Sequence, residues 1–229
     1  MVAPATLEMV RMQARFLASM DHELRAPLNA IIGLGETLAS GMVPDPRRQS
    51  EFAGQIVANA RQLLQLINSL LELARADAGL LELTPQPADL AGLVSDALRL
   101  VEPAATRRGV TISADLEQAP ARVTLDASRI MHALHALLTA AIALTPGGHR
   151  IALRVVAEDE RRVRLELTGL NIGPGHTGEF LVPTPGAWLG LALARSIVEA
   201  HGGEFGATRA PGGKSTVLHA VLPGVTAGG

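Results

Sequence analysis

The 229-residue sequence contains no cysteine and no tyrosine, and its aromatic residues are one tryptophan and four phenylalanines. Without cysteine the chain forms neither disulfides nor thiolate metal sites, and its seven histidines show no close pairing with carboxylates at metal-ligand spacing. We therefore expect no structural metal. Few aromatic rings are present on which bases could stack, and the formal net charge of -2 supplies no basic surface. Nucleic acid is not expected as a partner.

Long apolar runs are also missing. No run approaches the roughly eighteen residues that cross a bilayer, and the N-terminus lacks the basic, apolar and small-residue order of a signal peptide. We therefore expect a cytoplasmic chain without membrane insertion. With 48% hydrophobic and 18% charged residues, the composition is that of a folded protein with a proper core.

Two amphipathic helices are predicted in the first third of the chain. Apolar residues recur at three- and four-residue steps from Leu7 to Ala39 and from Phe52 to Ala74. Pro27 interrupts the first pattern, and because a proline removes one helical hydrogen bond, we expect a bend there and not an end. Two helices cannot enclose a core alone, so two copies of this hairpin should combine into a dimeric four-helix bundle.

The rest of the chain alternates between helical and strand patterns. Helices are expected over 89–101, 126–144 and 189–200, and Asp126 is expected to be the N-cap of the second of them. Strands are expected over 110–116, 151–157, 163–167, 204–209 and 215–222. Strands 151–157 and 163–167 should pair antiparallel, and strands 204–209 and 215–222 should form a hairpin. A loop is expected from Gly169 to Gly186. The predicted fold class is α+β: a helical hairpin domain, residues 1–82, followed by an α/β sandwich, residues 83–229.

Residues 16–31, FLASMDHELRAPLNAI, form one continuous motif in the first predicted helix. The motif closely resembles the phosphoacceptor box of bacterial two-component histidine kinases. The resemblance implies that His22 accepts a phosphoryl group and that Glu23 takes or holds the second ring proton, since neutral imidazole is nucleophilic and its two nitrogens can take different roles. An isolated His-Glu pair would be interpreted as a solvated helix face, but sixteen residues in register favour the phosphoacceptor. Ala26 replaces the family's Thr or Asn and cannot orient water, which predicts little dephosphorylation of a partner.

Residues 87–223 resemble the ATP-binding domain of the same kinases, but the resemblance fails at the ligand positions. The family's pattern has two asparagines and a lysine, which hold magnesium and the phosphates, where this chain has Ala136, Ala140 and Ala143. Alanine offers Mg²⁺ no oxygen, and a triphosphate without its ion cannot be poised for transfer. The resemblance therefore implies an ATP-binding type of domain that has lost most of its nucleotide contacts.

The glycine boxes of that family are partly kept. Its Asp-x-Gly-x-Gly box becomes Asn171, Gly173 and Gly175, so an amide replaces the carboxylate that accepts a hydrogen bond from the adenine amino group. The second box keeps Gly190 but has Trp188 in place of a glycine. The resemblance implies that Asn171, Gly173, Gly175 and Gly190 are the residues left to contact a nucleotide. We interpret Trp188 as a packing residue in the former ATP space, with ligand stacking as the alternative.

These features predict a phosphorelay protein in which His22 accepts a phosphoryl group from a receiver domain and passes it on without ATP, similar in layout to degenerate alphaproteobacterial histidine phosphotransferases. The expected partners are a second copy and a response-regulator receiver domain, which supplies its own magnesium. No cofactor is expected in this chain. ATP and magnesium enter only under the alternative, a weakly active sensor histidine kinase that autophosphorylates His22. A non-catalytic pseudokinase scaffold is the third hypothesis, so enzymatic activity stays open between phosphotransferase and divergent kinase.

Overall fold

Five helices and seven strands follow one another along the described part of the chain. The computed structural model describes the backbone of residues 4–120, 122–159, 161–170, 185–209 and 216–224, with side chains in these ranges apart from residues 4–19, 22, 185, 186 and 209. The elements are α1 (Pro4–Ala39), α2 (Pro46–Asp77), β1 (Gln86–Ala88), α3 (Leu90–Arg108), β2 (Thr111–Gln118), β3 (Val123–Leu125), α4 (Ala127–Leu144), β4 (Arg150–Ala157), β5 (Arg162–Leu170), α5 (Pro185–Ala200), β6 (Glu204–Arg209) and β7 (Thr216–Pro223).

The chain divides into two compact units, Met1–Leu71 and Glu72–Gly229. The boundary between the two units therefore falls inside helix α2, and the last six residues of this helix, 72–77, belong to the second unit. The domain boundary between residues 82 and 83, which was inferred from the sequence, stays a prediction.

The first unit is a helical hairpin in which each helix has one covered stripe. On α1 the less exposed apolar positions recur with a seven-residue period, and the same holds on α2. These positions are Met20, Leu24, Pro27, Ile31, Leu34 and Leu38 on α1, and Phe52, Ile56, Leu63, Leu66 and Leu70 on α2. Pro27 lies inside α1, so the prediction that it does not end the helix is confirmed. Ile67 lies within the apolar pattern from Phe52 to Ala74 but is exposed, on another face of α2.

The second unit is an α/β sandwich built on a five-stranded sheet with the order β2-β4-β5-β7-β6. Strand β2 is parallel to β4, and the other neighbours are antiparallel. Buried residues alternate along β4 and β5, and they join the buried faces of α3, α4 and α5 in one hydrophobic core. The predicted antiparallel pair β4-β5 and the terminal hairpin β6-β7 are confirmed.

Two local predictions were wrong, and one pair of strands was not predicted. Helix α3 does not end at Val101 but continues through Pro103 to Arg108, because Ala97, Val101 and Ala105 all lie in the core and Gly109, in the left-handed conformation at φ 67°, supplies the C-cap. The short strands β1 and β3, which pair antiparallel, were not predicted.

The second correction concerns the loop expected from Gly169 to Gly186. Strand β5 reaches Leu170 and helix α5 already begins at Pro185, so both ends of that segment have regular structure. A proline is favoured in the first helical turn because its φ is already helical and its missing N–H would have no partner there.

Helix α4 is the central helix of the second unit. Among the described helices it alone is long and apolar enough to cross a membrane by length and composition. Eight of its residues are buried in the hydrophobic core, including Ile130, Leu134 and Leu138. Its apolar character is therefore accounted for by packing against α3, α5 and the sheet.

Candidate phosphoacceptor and nucleotide sites

His22 lies in the middle of α1, and its side chain falls outside the described residues. Three positions on the same side of the helix are described: Arg25, Ala26 and Asn29 are all exposed in this unit. Residues three, four and seven apart share a helix face. The side of α1 that continues from position 22 toward the C-terminus is therefore solvent-accessible at these three residues.

Glu23, the predicted acid-base partner of His22, is half-buried. It follows His22 directly on the same helix, so its carboxylate is tethered within one residue of the acceptor. A carboxylate held at this position can accept the second ring proton as a neutral imidazole attacks phosphorus. Its assignment as the general base stays a prediction.

The only described charged side chains that pair directly beside His22 are Asp21 and Arg25. Arg25 Nη2 donates to Asp21 Oδ1 over 3.0 Å, in the i,i+4 arrangement that favours an acid N-terminal to a base. The sequence contained this spacing, but no role was assigned to it. The pair places one anion and one cation on either side of the acceptor along the helix.

In the second unit, the three alanines at the family's ligand positions lie on α4. Ala140 is 1% exposed, while Ala136 and Ala143 are half-buried. None of the three side chains offers an oxygen or a charge, so α4 does not fit a magnesium-bound triphosphate in the way that the family's asparagines and lysine would.

Gly190 on α5 lies directly against this part of α4. A Cβ added at Gly190 would lie 2.6 Å from the carbonyl oxygen of Ala136 and 3.3 Å from the Cβ of Ala140. Ala136, Ala140 and Gly190 therefore form a close helix-helix contact between small residues. This contact explains why position 190 needs glycine on packing grounds alone.

The second glycine box, which includes Trp188 and Gly190, lies within helix α5. The helix begins at Pro185, so Gly190 lies beyond the first four residues, whose N–H groups are the ones that an α-helix leaves without an intrahelical partner. Ala187 and Leu189 are buried, while Trp188 between them is half-buried. The packing interpretation of Trp188 and the nucleotide contact of Gly190 stay predictions. Asn171, Gly173 and Gly175 lie outside the described residues.

Among the described carboxylates of the second unit, Asp126 accepts the most hydrogen bonds, and its predicted role as N-cap of α4 is confirmed. Its Oδ1 accepts from the backbone N–H groups of Ser128 and Arg129, and its Oδ2 accepts from the backbone and hydroxyl of Thr84. Burial alone would raise the pKa of Asp126, but these hydrogen bonds outweigh it and hold the pKa well below its usual range. The bonds to Thr84, which lies 42 residues away, tie the segment before β1 to the start of α4.

A second buried carboxylate, Glu72, lies near the end of α2. Arg129 Nη1 donates to Glu72 Oε1 over 2.7 Å, and His132 Nδ1 lies 3.2 Å from Glu72 Oε2. Nearby on α4, burial first and the neighbouring His132 second lower the pKa of His135. Sequence reasoning missed this cluster, because only the tertiary fold brings α2 and α4 together.

A helical hairpin with a phosphoacceptor motif, followed by an α/β sandwich, defines a module of the histidine-kinase type. Two family profiles match: the His Kinase A (phospho-acceptor) domain over residues 12–79, and the histidine kinase-, DNA gyrase B- and HSP90-like ATPase over residues 125–225. The chain belongs to the two-component histidine kinase family.

A known sensor protein is similar to nearly the whole chain. The sensor protein GacS of Pseudomonas syringae pv. syringae is 32% identical over 225 residues, which is 90% of this chain and 24% of GacS. The chain thus spans about a quarter of the length of that relative.

Two solved structures share the fold. Full-length ShkA in complex with AMPPNP is 26% identical with a TM-score of 0.67, covering 93% of this chain and 46% of ShkA. Histidine kinase ThkA in complex with response regulator protein TrrA is 22% identical with a TM-score of 0.62, covering 95% of this chain and 63% of that one. The likeness to ThkA shows the fold alone.

Proposed function

We propose that this chain is a two-component phosphorelay protein that carries a phosphoryl group on His22 and exchanges it with receiver domains without using ATP. The observation that supports the proposal most directly is the α4-α5 contact. The positions that should hold magnesium and phosphates are alanines, and Gly190 packs against the backbone of one of them.

The electrostatics of ATP make this loss significant. A bound triphosphate needs cations or oxygen-coordinated magnesium to offset the repulsion among its charges and to align the γ-phosphoryl group. Ala136, Ala140 and Ala143 supply neither. Transfer from an aspartyl-phosphate does not need these groups, because the receiver brings its own magnesium and the chain has only to present an imidazole in the correct geometry.

A second copy of the chain is the proposed dimer partner. Apart from their covered stripes, both helices of the hairpin leave large apolar side chains exposed: Leu28, Ile32, Val57, Leu64, Ile67 and Leu71. Val57, Leu64 and Leu71 recur at intervals of seven, which is the spacing of a helical bundle seam. Packing two hairpins into a four-helix bundle would remove this surface from water.

A response-regulator receiver domain is the proposed phosphoryl partner. Leu28 and Ile32 follow the acceptor on α1 and are exposed, 43% and 48%, so they can contact a docked domain next to His22. The solved complex of ThkA with response regulator protein TrrA supports a partner of this class for a protein of the same fold. We place the exchange in the cytoplasm, with no cofactor resident in this chain and magnesium on the receiver.

The second candidate is a histidine kinase that phosphorylates His22 from ATP. It is favoured by the relatives, since GacS is a sensor protein and ShkA was solved with AMPPNP. A third hypothesis, a pseudokinase scaffold, would leave His22 without chemistry.

One experiment separates the three. The purified chain is incubated with labelled Mg-ATP alone and, in parallel, with a phosphorylated receiver domain, with His22→Ala as the control. We expect label on the wild-type chain from the receiver and none from ATP. Label from ATP alone would establish the kinase. Binding to receivers without any transfer to His22 would establish the scaffold.

A further inference from the structure

Glu72 and His132 form a pair that the relay function does not use. The Glu72 side chain is only 9% exposed, whereas the His132 side chain is 60% exposed. Arg129 Nη1 donates to Glu72 Oε1 over 2.7 Å, and His132 Nδ1 lies 3.2 Å from Glu72 Oε2. Both oxygens of a buried carboxylate are therefore engaged, one by a cation and the other by an imidazole that reaches into water.

The carboxylate of Glu72 decides which nitrogen of His132 carries the proton. A carboxylate that is paired with a guanidinium only accepts hydrogen bonds, so His132 Nδ1 is the donor. In the neutral ring, Nε2 then carries the lone pair. Among the described residues, Nε2 of His132 has no hydrogen-bond partner. Because the buried partner holds the ring at Nδ1, the exposed side of the ring is the side with Nε2.

We propose that His132 is a second nucleophilic imidazole of this chain, and that its Nε2 accepts a phosphoryl group from small acyl phosphates. Glu72 is the positioning residue, because a carboxylate bonded to one ring nitrogen fixes the tautomer and the orientation of the ring and raises the basicity of the other nitrogen. Arg129 in turn holds the carboxylate in place. The inference does not rest on the proposed relay, since it involves neither His22 nor a receiver domain.

The proposed step balances with the acyl phosphate as the only reactant. The lone pair on Nε2 attacks phosphorus, an N–P bond forms, and the P–O bond to the acyl group breaks. The acyl group leaves with the bonding electron pair as a carboxylate, so the leaving group needs no proton. The proton on Nδ1 stays in the hydrogen bond to Glu72, whose negative charge offsets the positive charge that develops on the ring.

His149 is a matched control within the same chain. It is exposed, and its Nδ1 lies 3.3 Å from the carbonyl oxygen of Gly147, which also only accepts hydrogen bonds. His149 therefore has the same neutral tautomer as His132, but its partner is uncharged. A difference in reactivity between the two histidines isolates the effect of the Glu72 carboxylate.

The test incubates the full chain with labelled acetyl phosphate at about pH 8, where an imidazole is neutral. Cleavage after arginine releases residues 130–150 as one peptide, which contains His132, His135 and His149. Single His→Gln variants at these positions assign the label. We expect His132→Gln to remove most of the label from this peptide and the other two variants to retain it. We expect Glu72→Gln to slow the labelling about tenfold, which is typical when a group that supports an imidazole is lost.

Two measurements keep the test decisive if Glu72→Gln fails to fold, which circular dichroism would show. The comparison of His132 with His149 does not need that variant, and long-range proton–nitrogen NMR spectra of the wild-type protein should show the Nδ1–H tautomer at His132. An unlabelled peptide, equal label on His132 and His149, a folded Glu72→Gln that is labelled at the wild-type rate, or the Nε2–H tautomer at His132 would each overturn the inference. Transfer from a receiver to His22 tests the relay separately.

Discussion

Replacing Gly190 by alanine tests the close contact between helices α4 and α5. The new Cβ would lie 2.6 Å from the carbonyl oxygen of Ala136, which is backbone and cannot rotate away. Either α4 or α5 must shift, and overpacking of this kind costs about 1–3 kcal/mol. Alanine in place of glycine inside a helix gains about 0.5–1 kcal/mol, which offsets part of this cost.

Gly54 on α2 provides the matched control, since a Cβ added there meets nothing within 4 Å. Gly54→Ala should therefore show only the favourable helix effect. The difference between the two changes in unfolding free energy cancels the helix propensity and isolates the overlap at position 190. We expect that difference to be about 1–3 kcal/mol.

Urea unfolding measures both variants. Trp188 is the single tryptophan and lies on α5, so its fluorescence follows the second unit, while circular dichroism follows the helices of both. With a slope of roughly 2 kcal/mol per molar urea, a net loss of 1–2 kcal/mol at Gly190 lowers the midpoint by about 0.5–1 M. If Gly190→Ala proves as stable as Gly54→Ala, the α4-α5 contact is looser than described, and the main structural support for ATP-independent transfer is lost.

Three further changes test the second unit. Asp126→Ala should lower the free energy of unfolding by about 1–2 kcal/mol at pH 7, because the cap of α4 is lost. The pKa of the Asp126 carboxyl is lowered in the folded state, so its contribution to stability is present above the usual pKa of 3.8 and is lost in more acidic solution. In acid titrations followed by circular dichroism, the stability of the variant should therefore depend less on pH below about pH 4 than that of the wild type. Because the pKa of His135 is lowered in the folded state, the unfolded chain binds a proton more readily, and the free energy of unfolding should decrease as the pH falls below 6.5. His135→Gln should remove this decrease when urea midpoints at pH 7.5 and pH 5.5 are compared. The same difference between the two midpoints in the variant and the wild type would contradict the prediction. Leu165→Ala should cost about 2–5 kcal/mol in the Trp188-monitored transition, because Leu165 is a buried core residue of β5, and a cost under about 1 kcal/mol would contradict its place in the core.

Local signals in the sequence were sufficient for much of this fold. Asp126 caps α4 because a short acidic side chain satisfies the free N–H groups of a first helical turn. Alternating residues in β4 and β5 follow from a sheet with one buried face. The phosphoacceptor motif was identified because sixteen consecutive positions match.

Features that depend on contacts between distant segments could not be predicted. Pro103 normally argues against a continuing helix, and only the packing of Val101 and Ala105 shows why α3 continues. The β1-β3 pair has three residues in each strand, too few for a periodic pattern. At the candidate site, the sequence shows alanines where the family's pattern has asparagines and a lysine, whereas the close approach of Gly190 to Ala136 follows from tertiary structure.

The end of α2 has a practical consequence for how this protein can be divided. Glu72 and Leu73 are buried and fold with the second unit, although they lie in the second helix of the hairpin. A protease cut or gene fusion placed in the proline-containing segment near residue 85 would leave Arg129 and His132 without their carboxylate and remove the buried Leu73. An independently stable sandwich therefore has to begin upstream of Glu72 and retain the last turns of α2.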